Sequence, residues 1–501
     1  MTEMMRQLGG TCVSVDARAG SEYELAIRMN RLVLSGGKEI DIADMCFMHE
    51  IHVSQIPRID SDAAAELVAA RLIACARLDD LRGCREMLAT YWRNHHLRAP
   101  VQLTRETRAS LELNAAEAWC ALGEPVGATM HATRAFHLDV SSAVRLRACS
   151  LLALGNGLRG DLVSAREYLD ICRTSTGDAP WACASSYTLA LAHILVATLA
   201  RAPHDLLRVA DALGSEPDAQ DFELYAAEVA RAQAYVCLGD LDSAIPVAVG
   251  LLSSGASRGQ AMVRALLVSV YADALLVRGE PRRVLAFLDG LEGTPDYARV
   301  RDIRRAYAHS LLYQDREVLR VTQEYMDRLG GHDPRAFIPL MMVRGLAFHR
   351  LNDEVRAKRH ISDGLRVALR AGAPLAPFSG LAATDFLPTL RYARKISAEM
   401  DDYLDEIVRF LGGASGDPQL SYVPALTVRE RSLARSIYRR MSNPQIALED
   451  GVSVNTVKAQ LGSLYRKLGV HGRDEAIQFL QARGFYYGAP SPYPEAHGIS
   501  A

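Results

Sequence analysis

From about residue 60 to 370 the chain places apolar residues at helical spacing and interrupts them with short breaks that recur. This recurrence limits the fold more than any other feature. The breaks are RLDDL at Asp79, ALGEP at Gly123, LRGDL at Gly160, ARAPH at Ala202, CLGDL at Gly239, VRGEP at Gly279, LYQDR at Gln314 and RLNDE at Asn352. Successive separations are 44, 37, 42, 37, 40, 35 and 38 residues, a loose period that suits one helix pair per repeat. Strand-like period-2 runs are absent, so the reading is all-α. Five residues after each break stands a small or aliphatic side chain: Cys84, Ala128, Ala165, Leu207, Ala244, Val284, Leu319 and Ala357. Nine residues after, six of the eight positions are apolar: Leu88, Ala132, Leu169, Ala248, Leu288 and Ile361. A turn followed at fixed offset by a small residue lets a second helix pack closely against the first.

The Gly-x-x-x-x-Ala spacing of GDLVSA and GDLDSA resembles the turn and second helix of tetratricopeptide repeats (TPR), although the Trp and Pro positions of that pattern are mostly missing. The resemblance implies a TPR-like superhelix over residues 61–410. Each repeat leaves one apolar face open, so stacking builds a continuous core and a groove that takes a peptide, a protein partner or a small effector.

Residues 1–60 are expected to be helical and packed on the array. SGGKEI at Ser35–Ile40 suggests a phosphate loop only superficially: Leu32 stands where the first Gly is needed, and Glu39 where the Ser or Thr is needed. Cys46, His49 and His52 bring soft ligands towards one helix face. No fourth ligand is apparent, so packing rather than a metal is expected. The nine cysteines form no C-x-x-C pair and mostly sit among Ala and Leu, which suits free thiols in a reducing cytoplasm. The N-terminus has no apolar signal region, and no stretch is long and apolar enough for a membrane span. No set of residues suggests catalysis or a cofactor.

After residue 410 the texture changes. Gly412, Gly413, Gly416 and Pro418 mark a linker at 411–425. Leu426–Gly484 then holds four short helical patterns, with a flexible tail expected at 485–501. Thr427 is a good N-cap, with Glu430 three residues on as its capping-box partner. Leu433, Ala434, Ile437 and Met441 form the apolar side of that first helix. Ser442 or Asn443 caps a short second helix, and Gly451 permits the sharp turn after it. Ser453 opens the third, whose Val454, Val457, Leu461, Leu464 and Leu468 make one apolar stripe. Its opposite face carries Asn455, Lys458, Ala459, Gly462 and Arg466. Short helix, tight turn and longer helix, Asn443 to Gly462, are the parts of a helix-turn-helix. A helix with small and cationic residues opposite its buried stripe enters a major groove without clashing.

Charge agrees with this division. The whole chain carries -2, but Leu426–Gly484 holds ten bases against five acids, so this segment is +5 and the remainder -7. A basic module on an acidic body is the footprint of phosphate binding.

These residues resemble the LuxR-type (NarL/FixJ-like) DNA-binding domain of bacterial transcription regulators. The matches are LT-x-RE at Leu426–Glu430, SN-x-x-IA at Ser442–Ala447, VS-x-x-TVK at Val452–Lys458, and YRKLGV at Tyr465–Val470 followed by Arg473, Glu475 and Ala476. The resemblance covers about an eighth of the chain. It implies that Lys458 and Ala459, with Asn455 nearby, face base edges, and that Thr456, Lys467 and Arg473 reach the phosphate backbone. It also implies a dimer contact from the fourth helix through Ile477 and Leu480. The sequence departs from the family at Arg440, where Gly is usual, at Asp450, where Leu is usual, and at Gln460, where His is frequent. Gly462 stands where many members carry a longer polar side chain. The repeats ahead of the module resemble the C-terminal half of large ATP-dependent LuxR regulators, but neither their ATPase module nor a receiver domain is expected here.

The expectation is a cytoplasmic, nucleoid-associated transcription regulator that binds double-stranded DNA, as a homodimer on its site, with no cofactor and no metal. Its array would sense an unknown small-molecule or protein effector, and RNA polymerase is a candidate partner. The alternative is a protein-interaction scaffold whose helix-turn-helix is degenerate.

Overall fold

The computed structural model describes residues 15–35, 42–51, 58–98, 102–176, 186–215, 221–253, 261–291, 298–329, 334–394, 396–412, 428–468 and 470–482. Among them the protein is all-α apart from one hairpin of two two-residue strands. Helices α1 (Val15–Ser35) and α2 (Ile42–Glu50) precede eight helix pairs. The first four pairs are α3 (Asp62–Arg77) with α4 (Leu81–Tyr91), α5 (Arg105–Ala121) with α6 (Pro125–Leu138), α7 (Ser142–Arg159) with α8 (Leu162–Thr176), and α9 (Ser186–Ala200) with α10 (Pro203–Gly214). The next four are α11 (Asp221–Leu238) with α12 (Leu241–Ser253), α13 (Ala261–Arg278) with α14 (Pro281–Asp289), α15 (Ala298–Leu311) with α16 (Asp315–Leu329), and α17 (Pro334–Arg350) with α18 (Glu354–Arg370). Short helix α19 (Ala383–Phe386), two 3₁₀ turns and α20 (Ala398–Gly412) follow, then α21 (Val428–Tyr438), α22 (Asn443–Asp450), α23 (Val454–Leu468) and α24 (Arg473–Ala482).

Every break in the sequence is one kind of turn. The residues with positive φ at the eight junctions are Asp79, Gly123, Gly160, Arg201, Gly239, Gly279, Tyr313 and Asn352. In seven of them the next amide reaches back to a carbonyl five residues earlier, as Asp80 N does to Cys75 O and Asp353 N to Phe348 O, both at 2.9 Å. That 6→1 bond satisfies a helix-end carbonyl that otherwise has no partner. The second helix then starts at once. Asp80, Asp161, Asp240 and Asp353 accept from the amide three residues on, while Pro125 and Pro281 open α6 and α14.

Counting from the left-handed residue sharpens the packing pattern. Five residues on stand Cys84, Ala128, Ala165, Leu206, Ala244, Val284, Val318 and Ala357, all fully buried. Nine residues on stand Leu88, Ala132, Leu169, Ala210, Ala248, Leu288, Thr322 and Ile361, also buried. The expected breaks at Ala202 and Gln314 are therefore one residue late. The turn residues there are Arg201 and Tyr313, and the packed side chains are Leu206 and Val318 rather than Leu207 and Leu319. Thr322 is the one polar member, and its hydroxyl donates to Val318 O at 2.6 Å within its own helix.

Two compact units divide the chain: Met1–Ala197, His204–Ala230 and Gly255–Arg264 form one; Thr198–Pro203, Arg231–Ser254 and Ala265–Ala501 form the other. In the first, Ala26 and Met29 of α1 and Met45 and Met48 of α2 join the core of α3 to α5. Asn30 donates to Glu66 O, and Asn114 donates to Asn30 Oδ1, each at 2.9 Å, which ties α1 to α3 and α5. His49 lies 2.9 Å from Asp80 and Cys46 is half-buried; His52 and the SGGKEI segment beyond Ser35 lie outside the described residues. A hairpin, Trp92–Arg93 with His96–Leu97, turns through Asn94 and His95, both at positive φ. Period-2 patterning is not needed for strands this short, so it was not visible in the sequence.

In the second unit, residues 376–412 close the core left open by α17 and α18. Phe378 and Phe386 are fully buried there, and Tyr403 donates to Pro374 O at 2.8 Å. Gly380 lies flat against the Tyr307 ring, and a Cβ at that position would sit 2.8 Å from it. A packed end of this kind covers the apolar face that the last repeat cannot cover itself.

Candidate nucleic-acid interface

Four helices build the C-terminal module around a core of Leu433, Ala434, Ile437, Ile446, Ala447, Val457, Leu461, Leu464, Leu468, Ala476, Ile477 and Leu480. Thr427 lies outside the described residues, so the expected first cap is not described. Ser442, not Asn443, is the N-cap of α22: its amide donates to Gln445 Oε1 at 2.7 Å, one half of a capping box. Gly451 takes φ +65° and ends α22. Ser453 Oγ then accepts from Thr456 N at 3.0 Å and starts α23. These local bonds fix the angle between α22 and α23.

The stripe predicted on α23 is the buried one, with Val457, Leu461, Leu464 and Leu468 inside. Asn455, Thr456, Lys458, Ala459, Gly462, Ser463, Arg466 and Lys467 are exposed. Lys458 and Arg466 make no ion pair among the described residues. Lys467 is held by Glu430 at 2.7 Å, and the Thr456 hydroxyl meets that of Ser453 at 2.8 Å. Arg473 donates to Met441 O and, at 2.7 Å, to Asn443 Oδ1, clamping the start of α22 to α24. Ile477 and Leu480 point into the module's own core, which leaves Asp474, Glu475 and Gln478 exposed on α24.

The departures from the family pattern acquire physical accounts. Arg440, where Gly is usual, has φ +60° and reaches Asp474. Asp450 is neither stranded in the core nor turned to solvent. Its side chain is 14% exposed and pairs with Arg429 Nη1 at 2.9 Å, while Arg429 Nε donates to Gln460 at 3.1 Å. The three residues link α21, α22 and α23, so two of the unusual positions, 450 and 460, share one partner. A Cβ added at Gly462 would meet nothing within 4 Å. Sequence reasoning missed Arg429 as the partner of Asp450, because i to i+21 spacing carries no pattern.

This geometry defines a helix-turn-helix module whose long helix exposes Lys458, Arg466 and Lys467 opposite its buried stripe. Residues 424–480 match the family model described as Bacterial regulatory proteins, luxR family, and so form a LuxR-type helix-turn-helix domain. HTH-type transcriptional regulator MalT of Yersinia pestis (strain Pestoides F) and that of Serratia proteamaculans (strain 568) are each 44% identical over 64 residues. The match covers 13% of this chain and 7% of each of those relatives. It lies over the helix-turn-helix region. No helix among the described residues is long and apolar enough to cross a membrane.

Proposed function

We propose that the chain is a cytoplasmic transcription regulator in which the repeat array, residues 61–410, responds to an effector or protein partner and controls DNA binding by the module at 426–484. The observation that carries this reading is the face of α23 opposite the buried stripe, where Lys458 and Arg466 stand exposed and make no ion pair among the described residues. Cations kept out of ion pairs are available to phosphates and to guanine edges without first breaking a contact. Asn455, Lys458 and Ala459 are the base-facing residues of this proposal. Thr456, Lys467 and Arg473 reach the backbone, Lys467 by exchanging Glu430 for a phosphate. A second copy on a pseudo-palindromic site meets α24 beside Gln478, with Ile477 and Leu480 supporting that surface from beneath. RNA polymerase is the further partner an activator of this kind would meet.

Gel-shift or anisotropy titration of the full chain tests the reading. Lys458→Ala with Lys467→Ala should weaken duplex binding about 10- to 100-fold, from losing roughly 1–3 kcal/mol of contact. The double variant should also flatten the dependence of log K on log salt. Unchanged, salt-insensitive binding would overturn it.

A further inference from the structure

Six of the eight repeat turns place Gly, Asp or Asn in the left-handed conformation, where those residues are least strained. The two exceptions are Arg201 and Tyr313, and in the second unit both use their side chains on elements C-terminal to the repeats. The Arg201 guanidinium lies 5.7 Å from the centre of the Phe410 ring on α20, the last helix before the linker. Tyr313 reaches further, to the DNA-binding module itself. Arg435 of α21 stands 4.9 Å from the Tyr313 ring centre, and its Nη2 donates to the Tyr313 hydroxyl at 3.2 Å. Arg350 stands 4.4 Å from the same ring centre. Asp385 at 2.6 Å and Asp315 at 3.3 Å hold Arg350 in place and balance its charge. The array thus presents an aromatic ring, fixed by a buried and neutralised arginine, to a half-buried cation of the module.

We propose that Tyr313 and Arg435 form a latch through which the repeat array holds the DNA-binding module, and that opening the latch strengthens DNA binding. The proposal rests on the DNA-binding reading above and names its regulation. Two physical effects give the direction. Opening frees Arg435, a cation that makes no ion pair among the described residues, for a phosphate. It also lets a module of +5 move away from the remainder of the chain, which carries -7 and repels DNA. One cation–aromatic contact with one hydrogen bond is weak enough for an effector with modest preference between the two states to shift the balance.

Tyr313→Gly is the discriminating variant. It installs the residue found at four other turns of the array, so the fold is retained, and Tyr313 has no part in the DNA surface. Full-length wild type and variant are titrated into a random-sequence duplex of about 30 base pairs at two salt concentrations. Tyr313→Gly should bind at least about 5-fold tighter at the lower salt, the gap narrowing as salt rises. Tyr313→Phe keeps the ring and should fall between the two. Equal affinity for wild type and Tyr313→Gly, with matching thermal midpoints, overturns the latch. Small-angle scattering without DNA decides it independently. A larger radius of gyration for Tyr313→Gly supports the latch, and an unchanged one overturns it. Failure of every variant to bind the duplex would overturn the DNA-binding reading instead.

Discussion

In the array, the side chain of Arg147 is buried against Glu117 and that of Arg350 against Asp385 and Asp315, and half-buried Arg304 pairs with Asp273. In the C-terminal module, Lys458 and Arg466 are exposed and make no ion pair among the described residues. Both regions are built with the same local device, a left-handed residue, a carbonyl bonded five residues back and a capped helix, for Met441 N reaches Ser436 O and Val452 N reaches Ala447 O just as the array turns do. This capped left-handed turn therefore recurs in both regions and does not by itself mark a nucleic-acid site. What separates these cations is burial: Arg147 and Arg350 are held inside ion pairs, whereas Lys458 and Arg466 are exposed and make no ion pair among the described residues. The first helices of repeats such as α5, α7 and α17 are buried on nearly every side, so a charge there needs a partner, whereas α23 buries one face and leaves the other exposed.

The largest effect that would break this comparison lies in the array. Glu117 accepts from Arg147 at 2.7 Å and from Arg77 at 2.9 Å, with Arg147 itself nearly inaccessible. Arg147→Ala removes one side of that pair and should cost roughly 3–5 kcal/mol in denaturant unfolding. Duplex affinity measured below the transition should stay as in wild type. A cost under about 1 kcal/mol would mean that the buried charges are solvated or relaxed, and the distinction between the regions would fall.

Acid should reveal the same network. Burial alone would raise the Glu117 carboxyl, but the two guanidiniums outweigh it and hold the group at about 2. Its folded value thus lies below its unfolded one, so its contribution is complete above about pH 4.5 and is lost as pH falls towards 2. Over that window the contribution is of order 3 kcal/mol. Thermal midpoints of wild type should fall more steeply than those of Glu117→Gln, and parallel profiles would remove Glu117 from the account.

How much of this was legible in the sequence depended on where the signal lay. Turns made by Gly, Asp or Asn announced themselves, and the buried positions followed from them at fixed offsets. Arg201 and Tyr313 did not, because their places in the left-handed turn are explained by Phe410 and Arg435, more than a hundred residues away. Residues 376–412 carry Pro and Gly at loop-like spacing, and the burial of Phe378 and Phe386 arises from tertiary packing that no helical period records. On α23 the apolar stripe and its opposite face were readable in full, since both are set by one helix. The roles of Arg473 and Asp450 were not, because each is fixed by a partner on another helix.

The smallest effect is the sharpest test of the module. Gly462 lies in the middle of α23, exposed, with open space where its side chain would be. Its helical backbone needs no glycine, so Gly462→Ala should add about 1 kcal/mol of stability from helix propensity alone. If the glycine has no other role, duplex affinity is unchanged and thermal stability rises. If α23 lies so close to DNA that only hydrogen fits, stability rises while affinity falls, because a methyl group then meets the duplex rather than solvent. Both results keep α23 as a free helix face, and the second identifies Gly462 as a point of close approach. A loss of stability would contradict the open space around residue 462 and with it the orientation of α23 on which the proposed interface depends.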